Sequence, residues 1–451
     1  MQSEYRQRRH TVLTALGKDT AIFCSAPPAV MHNDVDYLFR QDSDFFYLTG
    51  FNEPGAVLVL SGGHEEHKAV MFVRPKDLEA ETWSGYRIGV DDTKRLYGVD
   101  EVFPLDKLDE ELPKYVKPAE RLYYRFGRDI AFDNRVLALW KQFLLKMAKE
   151  AAGPVAIEDS RQFMQQFRRV KSPAEVEQIR EAIAISAEAH NIAREMARPG
   201  VYEYEIQAAI ENTFRKRGAM GPAYPSIVAT GRNACILHYV ENNQRLEEGD
   251  LLLIDAGCAY GYYNADITRT IPVGKNISEE QRILYDLVLK AQLAAIEQVQ
   301  PGKPFNAFHD AAVRVLTEGF VELGLLVGNI DKLIEEKKHK AFYMHGTGHF
   351  LGLDVHDAGQ LRNRDQTWKP FEPGNIVTVE PGVYISPYYK PEEESGQPEV
   401  AERWKGIGIR IEDDILVTET GNEVLTAVVP KTLDLAAAEE RAQSVPELAY
   451  T

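Results

Sequence analysis

LLLIDAGCAYGYYNADITRT, residues 251–270, decides how this chain is read. The apolar run 251–254 delivers Asp255 to a glycine-bearing turn, and a second segment returns with Asp266 just before Ile267 and Thr268. The pattern predicts a β-hairpin with one carboxylate on each arm. An acid among apolar neighbours is costly to bury unless a positive group meets it, and no Lys or Arg lies between these two. A metal ion is the obvious partner. Two Asp beside a glycine-rich turn are, taken alone, ordinary solvated turn residues; the rest of the chain argues against that reading.

Working outward, the flanking segments form an internal repeat. Upstream, Ser172-Pro173-Ala174-Glu175 has a capping Ser, Pro at the first helical position and Glu at the third, and Val176, Ile179 and Ile183 follow at helical spacing. A new domain therefore starts near Lys171. That helix ends at Pro199-Gly200, and a second, over 204–217, closes at Gly218. Downstream the order recurs. Ser278 with Gln281 opens a helix that Pro301-Gly302 stops, and another over 306–323 closes at Gly324. LEEGDLLLIDAG (246–257) then has a counterpart in PFEPGNIVTVEPG (370–382): laying Gly249 on Gly374 puts Asp255 on Glu380 and Gly257 on Gly382. Each strand is followed by a second acid, Asp266 in NADIT and Glu412 in GIRIEDDILVT. A duplicated α/β half with an acid pair in each copy predicts a pseudo-twofold domain with four carboxylates converging at its centre.

Histidines gather in the second half. MHGTGHFLGLDVHD (344–357) holds His345, His349 and His356, whereas the first half offers His238 in ILHYVENN. Gly346 and Gly348 disfavour a helix, so an extended glycine-rich segment is expected. A single His is usually structural; three within twelve residues point to a site. Four carboxylates at short range raise one another's pKa unless cations are present, and two divalent metals would neutralise them. Carboxylate oxygens with an imidazole suit Mn²⁺, Co²⁺, Fe²⁺ or Zn²⁺, and the lack of thiolate ligands argues against a structural zinc site. Such a pair of ions performs hydrolase chemistry. Arg410 lies two residues before Glu412, so in a strand both share a face and Arg410 could orient Asp255.

Residues 1–170 read as mixed α/β, with strands expected at 20–24, 56–60 and 69–73 and a helix over 133–149 carrying Leu137, Trp140, Leu144 and Met147. No catalytic cluster stands out there. NDVDYLFRQDSDFFYLTGF (33–51) is rich in aromatics and acids, and Trp83 sits in a polar stretch expected to be a loop. The formal charge of −17, from 69 acidic against 52 basic residues, speaks against nucleic acid or an anionic membrane as partner. The N-terminus leads into no apolar h-region, and no uninterrupted apolar run approaches the ~18 residues a span needs, so neither signal peptide nor transmembrane helix is expected. Cys24, Cys235 and Cys258 lack metal-ligand spacing and read as reduced thiols of a cytoplasmic protein.

IDAG with NADITRT, FYMHGTGHFLGLDVHD, VTVEPGVYI and GIGIRIEDDI resemble the metal-site motifs of the pita-bread metallopeptidases, most closely the aminopeptidase P (Xaa-Pro aminopeptidase) family. YLFRQDSDFFYLTGFNEPGAVLVL (37–60) is similar to that family's N-terminal domain, so the resemblance covers nearly the whole chain. It implies an α/β (α+β) protein: an N-terminal mixed α/β domain over 1–170, a pita-bread catalytic domain over 171–435, and a tail over 436–451. Five metal ligands fall on Asp255, Asp266, His349, Glu380 and Glu412, for two divalent ions, with Mn²⁺ expected. His238, His345 and His356 match histidines on the substrate side that help stabilise the tetrahedral intermediate. Glu380 also matches the ligand that exchanges protons with a metal-bridging hydroxide, and Arg410 an arginine supporting the site from behind. Asp34 and Trp83 match N-terminal residues that, in tetrameric members, reach a neighbouring subunit's site, so a homo-oligomer, dimer or tetramer, is expected. At Thr347 some members carry another small or apolar residue, which affects no ligand.

The implied reaction removes the N-terminal residue when proline stands second. Tyr384, Tyr388 and Phe350 are candidates to pack on the proline ring. The alternative is a prolidase with the same metal site; a dipeptidase needs a cation for the carboxylate after proline, an aminopeptidase needs open space, and the N-terminal domain favours the latter. A methionine aminopeptidase lacks such a domain. A non-catalytic relative would have lost ligands, and all five are present.

Overall fold

The computed structural model describes residues 2–391 and 395–433; the tail expected over 436–451 lies outside them. The chain divides after Phe167 into two compact units.

In the N-terminal unit, β1 (Thr20–Cys24), the exposed hairpin β2 (Val30–His32) and β3 (Val35–Asp36), β4 (Val57–Ser61), β5 (Ala69–Val73), β6 (Glu101–Pro104), β7 (Arg121–Tyr123) and β8 (Ala156–Glu158) alternate with helices. These are α1 (Gln2–Leu16), α2 (Ser43–Thr49), α3 (Leu78–Ser84), α4 (Gly89–Tyr97), α5 (Leu108–Val116), α6 (Ile130–Glu150) and α7 (Ser160–Arg168). Six strands form one mixed sheet in the order β6-β5-β4-β1-β7-β8. Their predominantly apolar segments, such as VLVLS and AVMFV, are buried along their whole length, as a sheet covered on both faces requires. The helix expected over 133–149 lies within α6, but the face it buries is Phe132, Val136, Leu139 and Phe143, while Leu137 and Leu144 stay partly exposed. Packing against the sheet, not the longest apolar spacing, selects that face.

The second unit opens with α8 (Pro173–Met196) and α9 (Glu203–Lys216), and the pair recurs as α10 (Glu279–Ile296) and α11 (Ala307–Glu322) before the short α12 (Ile330–Glu335). Capping boxes begin α8 and α10: the Ser172 and Ser278 hydroxyls each accept from the third residue's N–H, and Glu175 and Gln281 reach back to the serine N–H. The strands are β9 (Gly221–Pro222), β10 (Ile227–Thr230), β11 (Leu251–Asp255), β12 (Cys258–Tyr260), β13 (Tyr263–Asn264), β14 (Thr268–Pro272), β15 (Ile376–Val379), β16 (Gly382–Ile385), β17 (Ile407–Arg410), β18 (Asp413–Val417) and β19 (Asn422–Val424).

Residues 251–270 do not form the single hairpin expected of them. β11 pairs antiparallel with β14, Asp255 opposite Thr268, while β12 and β13 leave that ladder to pair with each other in a separate sheet shared with β9. The second half repeats the plan: β15 pairs with β18, Val379 opposite Asp413, and β16 pairs with β17. An acid stands at each of the four changes of ladder. Asp255 ends β11, Asp266 lies between β13 and β14, Glu380 between β15 and β16, and Glu412 between β17 and β18. Contrary to the expectation of one strand carrying both, Glu412 is not in the strand of Arg410 but follows its end. Close approach makes glycine necessary at two of these changes, because a Cβ on Gly257 would meet the Ala265 carbonyl and one on Gly382 both the Tyr384 side chain and the Ile409 carbonyl. The Glu412 N–H donates to the Thr268 carbonyl at 3.0 Å, joining the two halves at the acids. Behind them, Leu284, Val288, Leu316 and Phe320 of α10 and α11 pack on Val383, Ile385, Ile407 and Ile409.

Candidate metal centre

The four ladder breaks turn their acids toward one another. Asp255 and Asp266 are buried, and the Tyr224 hydroxyl lies 2.6 Å from Oδ1 of each. A phenol has one proton, so it donates to one acid at a time and the other oxygen is left needing a cation or a proton. On the far side, Arg410 Nη2 donates to Asp255 Oδ2 at 2.6 Å, Nη1 to the Tyr384 hydroxyl at 3.0 Å and Nε to the Thr268 hydroxyl at 3.2 Å. Thr268 in turn donates to Glu412 Oε2 at 2.6 Å. Arg410 therefore orients both halves' acids, one directly and one through a hydroxyl.

The glycine-rich segment 345–349 is non-helical, as expected. A Cβ on Gly348 would collide with the Thr378 carbonyl, so glycine lets this segment run against β15. There the Thr378 N–H donates to the His349 carbonyl and the His349 N–H to the Thr378 hydroxyl, at 2.9 and 3.1 Å. His349 Nδ1 lies 3.0 Å from the Phe350 carbonyl, which assigns the ring proton to Nδ1 and leaves Nε2 facing Asp266 Oδ2 at 3.5 Å and Glu380 Oε1 at 3.6 Å. One ligand atom each from Asp266, His349 and Glu412 lies within 4.8 Å of the others. His345 Nε2 meets the Tyr384 hydroxyl at 2.9 Å while its Nδ1 stands 3.8 Å from Glu380 Oε2. The His356 ring sits edge-on to His349 with centroids 4.3 Å apart. His238 is exposed on the 231–250 segment, near enough for its charge to oppose protonation of both His345 and His356. Thr347, midway between His345 and His349, meets the Tyr343 hydroxyl at 2.5 Å and His309 Nδ1 at 2.8 Å, and its carbonyl accepts from the Glu380 N–H.

The electrostatics are those of a cluster short of positive charge. Burial raises Asp255 above its usual value, with Arg410 opposing and Asp266 adding to the rise. Burial lifts Glu380 to about 7 and Glu412 well above its usual value, with neighbouring acids contributing to both. Burial would lower His349, but the hydrogen bond to Asp266 and the charges of Asp266 and Glu380 outweigh it and raise the ring to about 9. Burial and the adjacent Arg410 push His345 down to about 4. Carboxylates that hold protons, beside an imidazole that holds one, mark where cations belong. The all-oxygen-and-imidazole donor set fits hard or borderline divalent ions.

Several expectations change with the geometry. Tyr384 is buried, with its hydroxyl held between His345 and Arg410, rather than free to pack on a substrate ring. Phe350 belongs to a buried aromatic cluster with Phe305, and Tyr388 is 82% exposed. Trp83 lies on α3 and not in a loop, 88% exposed, and Asp34 is exposed in the turn joining β2 and β3; both belong to the N-terminal unit. Sequence reasoning missed Tyr224, whose only local signal is the Pro225 that extends its backbone, and the linking hydroxyl of Thr268.

Comparison with known proteins places these features in a family. Residues 177–419 match metallopeptidase family M24, and residues 5–123 match the aminopeptidase P N-terminal domain. The chain is 42% identical over 431 residues to the Xaa-Pro aminopeptidase of Haemophilus influenzae, covering 95% of each chain. It is 40% identical over 432 residues to that of Escherichia coli, covering 95% of this chain and 96% of the other. Among solved structures it is similar to aminopeptidase PepP of Pseudomonas aeruginosa, with a TM-score of 0.90 and 44% identity over 98% of both chains.

Proposed function

Since the chain belongs to metallopeptidase family M24 and carries the aminopeptidase P N-terminal domain, we propose that it removes the first residue from peptides with proline in second position, with Asp255, Asp266, His349, Glu380 and Glu412 holding two divalent metal ions. The observation that carries this reading is the donor set: three buried carboxylates, the partly buried Glu380 and an imidazole converge where Arg410 is bonded to Asp255, and two divalent ions offset the four negative charges. Mn²⁺ is our choice of native metal, as oxygen-rich sites with one imidazole suit it. When bound, the ions supply Lewis acidity and a water of lowered pKa.

The chain's own residues do the rest. An Xaa-Pro bond is a tertiary amide without an N–H, so peptidase clefts that rely on that donor reject it and recognition falls to the carbonyl and the ring. His238, His345 and His356 take the substrate side, where ring N–H groups stabilise negative charge developing on the carbonyl oxygen. Glu380, between His345 and His349, accepts a proton from the attacking water and relays it to the prolyl nitrogen. Arg410 and Tyr384 keep Asp255 and His345 in orientation.

A prolidase is not favoured, because the relatives that are 42% and 40% identical across 95% of the chain are Xaa-Pro aminopeptidases. No helix among the described residues is long and apolar enough to cross a membrane. We place the enzyme in the cytoplasm, acting on peptides and not on nucleic acid, as a homo-oligomer in which Asp34 and Trp83 reach a neighbouring subunit's site.

The test assays metal-stripped protein, with and without Mn²⁺, on an Xaa-Pro-Yaa tripeptide, the Xaa-Pro dipeptide and a matched Xaa-Ala-Yaa tripeptide. Metal-dependent release of Xaa from the proline tripeptide alone is the expected result. Turnover of the dipeptide alone would make the enzyme a prolidase, and inertness toward all three with every divalent metal would sink the catalytic reading.

A further inference from the structure

Glu203 is the first residue of α9 and has no measurable solvent exposure, yet a buried carboxylate is costly unless its oxygens are met. Four donors meet them. Oε1 accepts from the Thr230 N–H at 2.7 Å and the Asn233 side-chain amide at 3.1 Å; Oε2 accepts from the Tyr239 hydroxyl and the Gln244 N–H, both at 2.8 Å. The Glu203 N–H closes the pattern by donating to the Gln244 carbonyl at 2.9 Å. All four donors come from one stretch, from Thr230 at the end of β10 to Gln244, which makes one short 3-10 helix and has no further strand before β11. A segment this irregular has few ladder bonds of its own, so its shape is set by whatever side chains satisfy it. Along it, Tyr239 is buried against Glu203 while the adjacent His238 stays exposed.

We infer that Glu203 is a positioning residue for the reaction: its carboxylate fastens the 230–244 segment at both ends and in the middle, and so sets where His238 stands before the metal centre. The inference rests on the proposed function only in taking His238 as a substrate-side group. A carboxylate suits the task because it is acceptor-only and can take two donors on each oxygen. Glutamine has the same shape, but its amide nitrogen would face two donors instead of accepting from them. The displacement of His238 follows, and a misplacement of the order of 1 Å costs on the order of 100-fold in rate.

The experiment is a double-mutant cycle on the Mn²⁺-loaded full-length enzyme, with Glu203→Gln, His238→Ala and both together, following kcat and KM on an Xaa-Pro-Yaa tripeptide. Glu203→Gln is expected to lower kcat/KM about 10- to 100-fold with bound metal unchanged, and the double variant to be no worse than His238→Ala. Hydrogen exchange of 231–244 should quicken in Glu203→Gln. An equal loss from Glu203→Gln in both backgrounds, or a lowered melting temperature with unchanged kinetics, would make Glu203 structural only and overturn the inference. Silence of His238→Ala would instead fail the substrate-side reading of His238, and this inference with it. Should Glu203→Gln not fold, Tyr239→Phe removes one of the four bonds and enters the same cycle, with a several-fold loss expected only while His238 is present.

Discussion

In the first half of the catalytic unit, Asp255 and Asp266 share one phenol hydroxyl, Tyr224, and the arms bearing them carry no histidine. In the second half, Glu380 and Glu412 stand beside a glycine-rich segment that brings His345, His349 and His356. The ladder breaks are common to both halves, β11 to β14 matching β15 to β18, because the acids' positions are set by backbone pairing. What faces the acids differs, because loops of different composition fill the same place. Duplication thus repeats the carboxylate frame and leaves the chemistry on it to one side.

Matched positions can break that comparison. Glu380→Gln should lower kcat by about 1,000-fold even with Mn²⁺ added back to saturation, since the residue is assigned proton transfer besides its place among the ligands; Asp255→Asn, its counterpart, should act mainly through weaker metal binding. Steady-state kinetics with metal analysis on both variants checks this, and equal effects would mean that the halves are equivalent.

One step beyond Glu412, the second half has Asp413 where the first has Ile267. Asp413 is buried and paired with Arg269 at 2.7 Å and Lys431 at 2.6 Å, and Arg269 also donates to the Val429 carbonyl. Arg269→Met should destabilise by about 3–5 kcal/mol in denaturant unfolding, because part of a buried ion network is left unmatched. Ile267→Val should lose only about 0.5–1.5 kcal/mol.

Stability against pH separates the same groups. Burial alone would raise Asp413, but Arg269 and Lys431 prevail and hold it well below the carboxylate range. Its stabilisation is therefore present above the unfolded value near 4 and is lost as pH falls below it. Glu380 in metal-free protein has the opposite sign: raised to about 7 by burial, it stabilises below its unfolded value and that contribution is lost as pH rises towards 7. Melts of metal-stripped protein should peak near pH 4–5 and fall on both sides, and Mn²⁺ should flatten the alkaline limb. An unaltered limb would mean that Glu380 does not face the metal.

The smallest effect is the most symmetric. Ser172→Ala and Ser278→Ala remove equivalent capping boxes and should each cost about 1 kcal/mol. Unequal losses would show that the halves diverge in their helices as well as in their loops.

Much of this was legible in the sequence because it is local. Ser172 and Ser278 announce their helices through short-range hydrogen bonds, and the register of Gly249 on Gly374 pairs Asp255 with Glu380 directly. Arg410 was legible as a residue that could orient Asp255, and the contact is present, although Glu412 does not share its strand as alternation supposed. The single hairpin over 251–270 failed because adjacency says nothing about which of two sheets a strand joins; β12 leaves for β9, some 37 residues earlier in the chain. Tyr224 was invisible for a similar reason. Its role depends on two acids 31 and 42 residues away, and a tyrosine between alanine and proline carries no pattern of its own. Tyr384 was visible as an aromatic, but the partners of its hydroxyl come from two other segments.

The two ladders also differ in the length of chain they close. Asp255 and Thr268 are paired 13 residues apart, Val379 and Asp413 34 residues apart. Loop-closure entropy makes the second about 1 kcal/mol harder to form, and the more local contact forms sooner. During folding the first pair of acids should be in place while the second half is still assembling, so pulse-labelled hydrogen exchange should protect 251–255 and 268–272 ahead of 376–379 and 413–417.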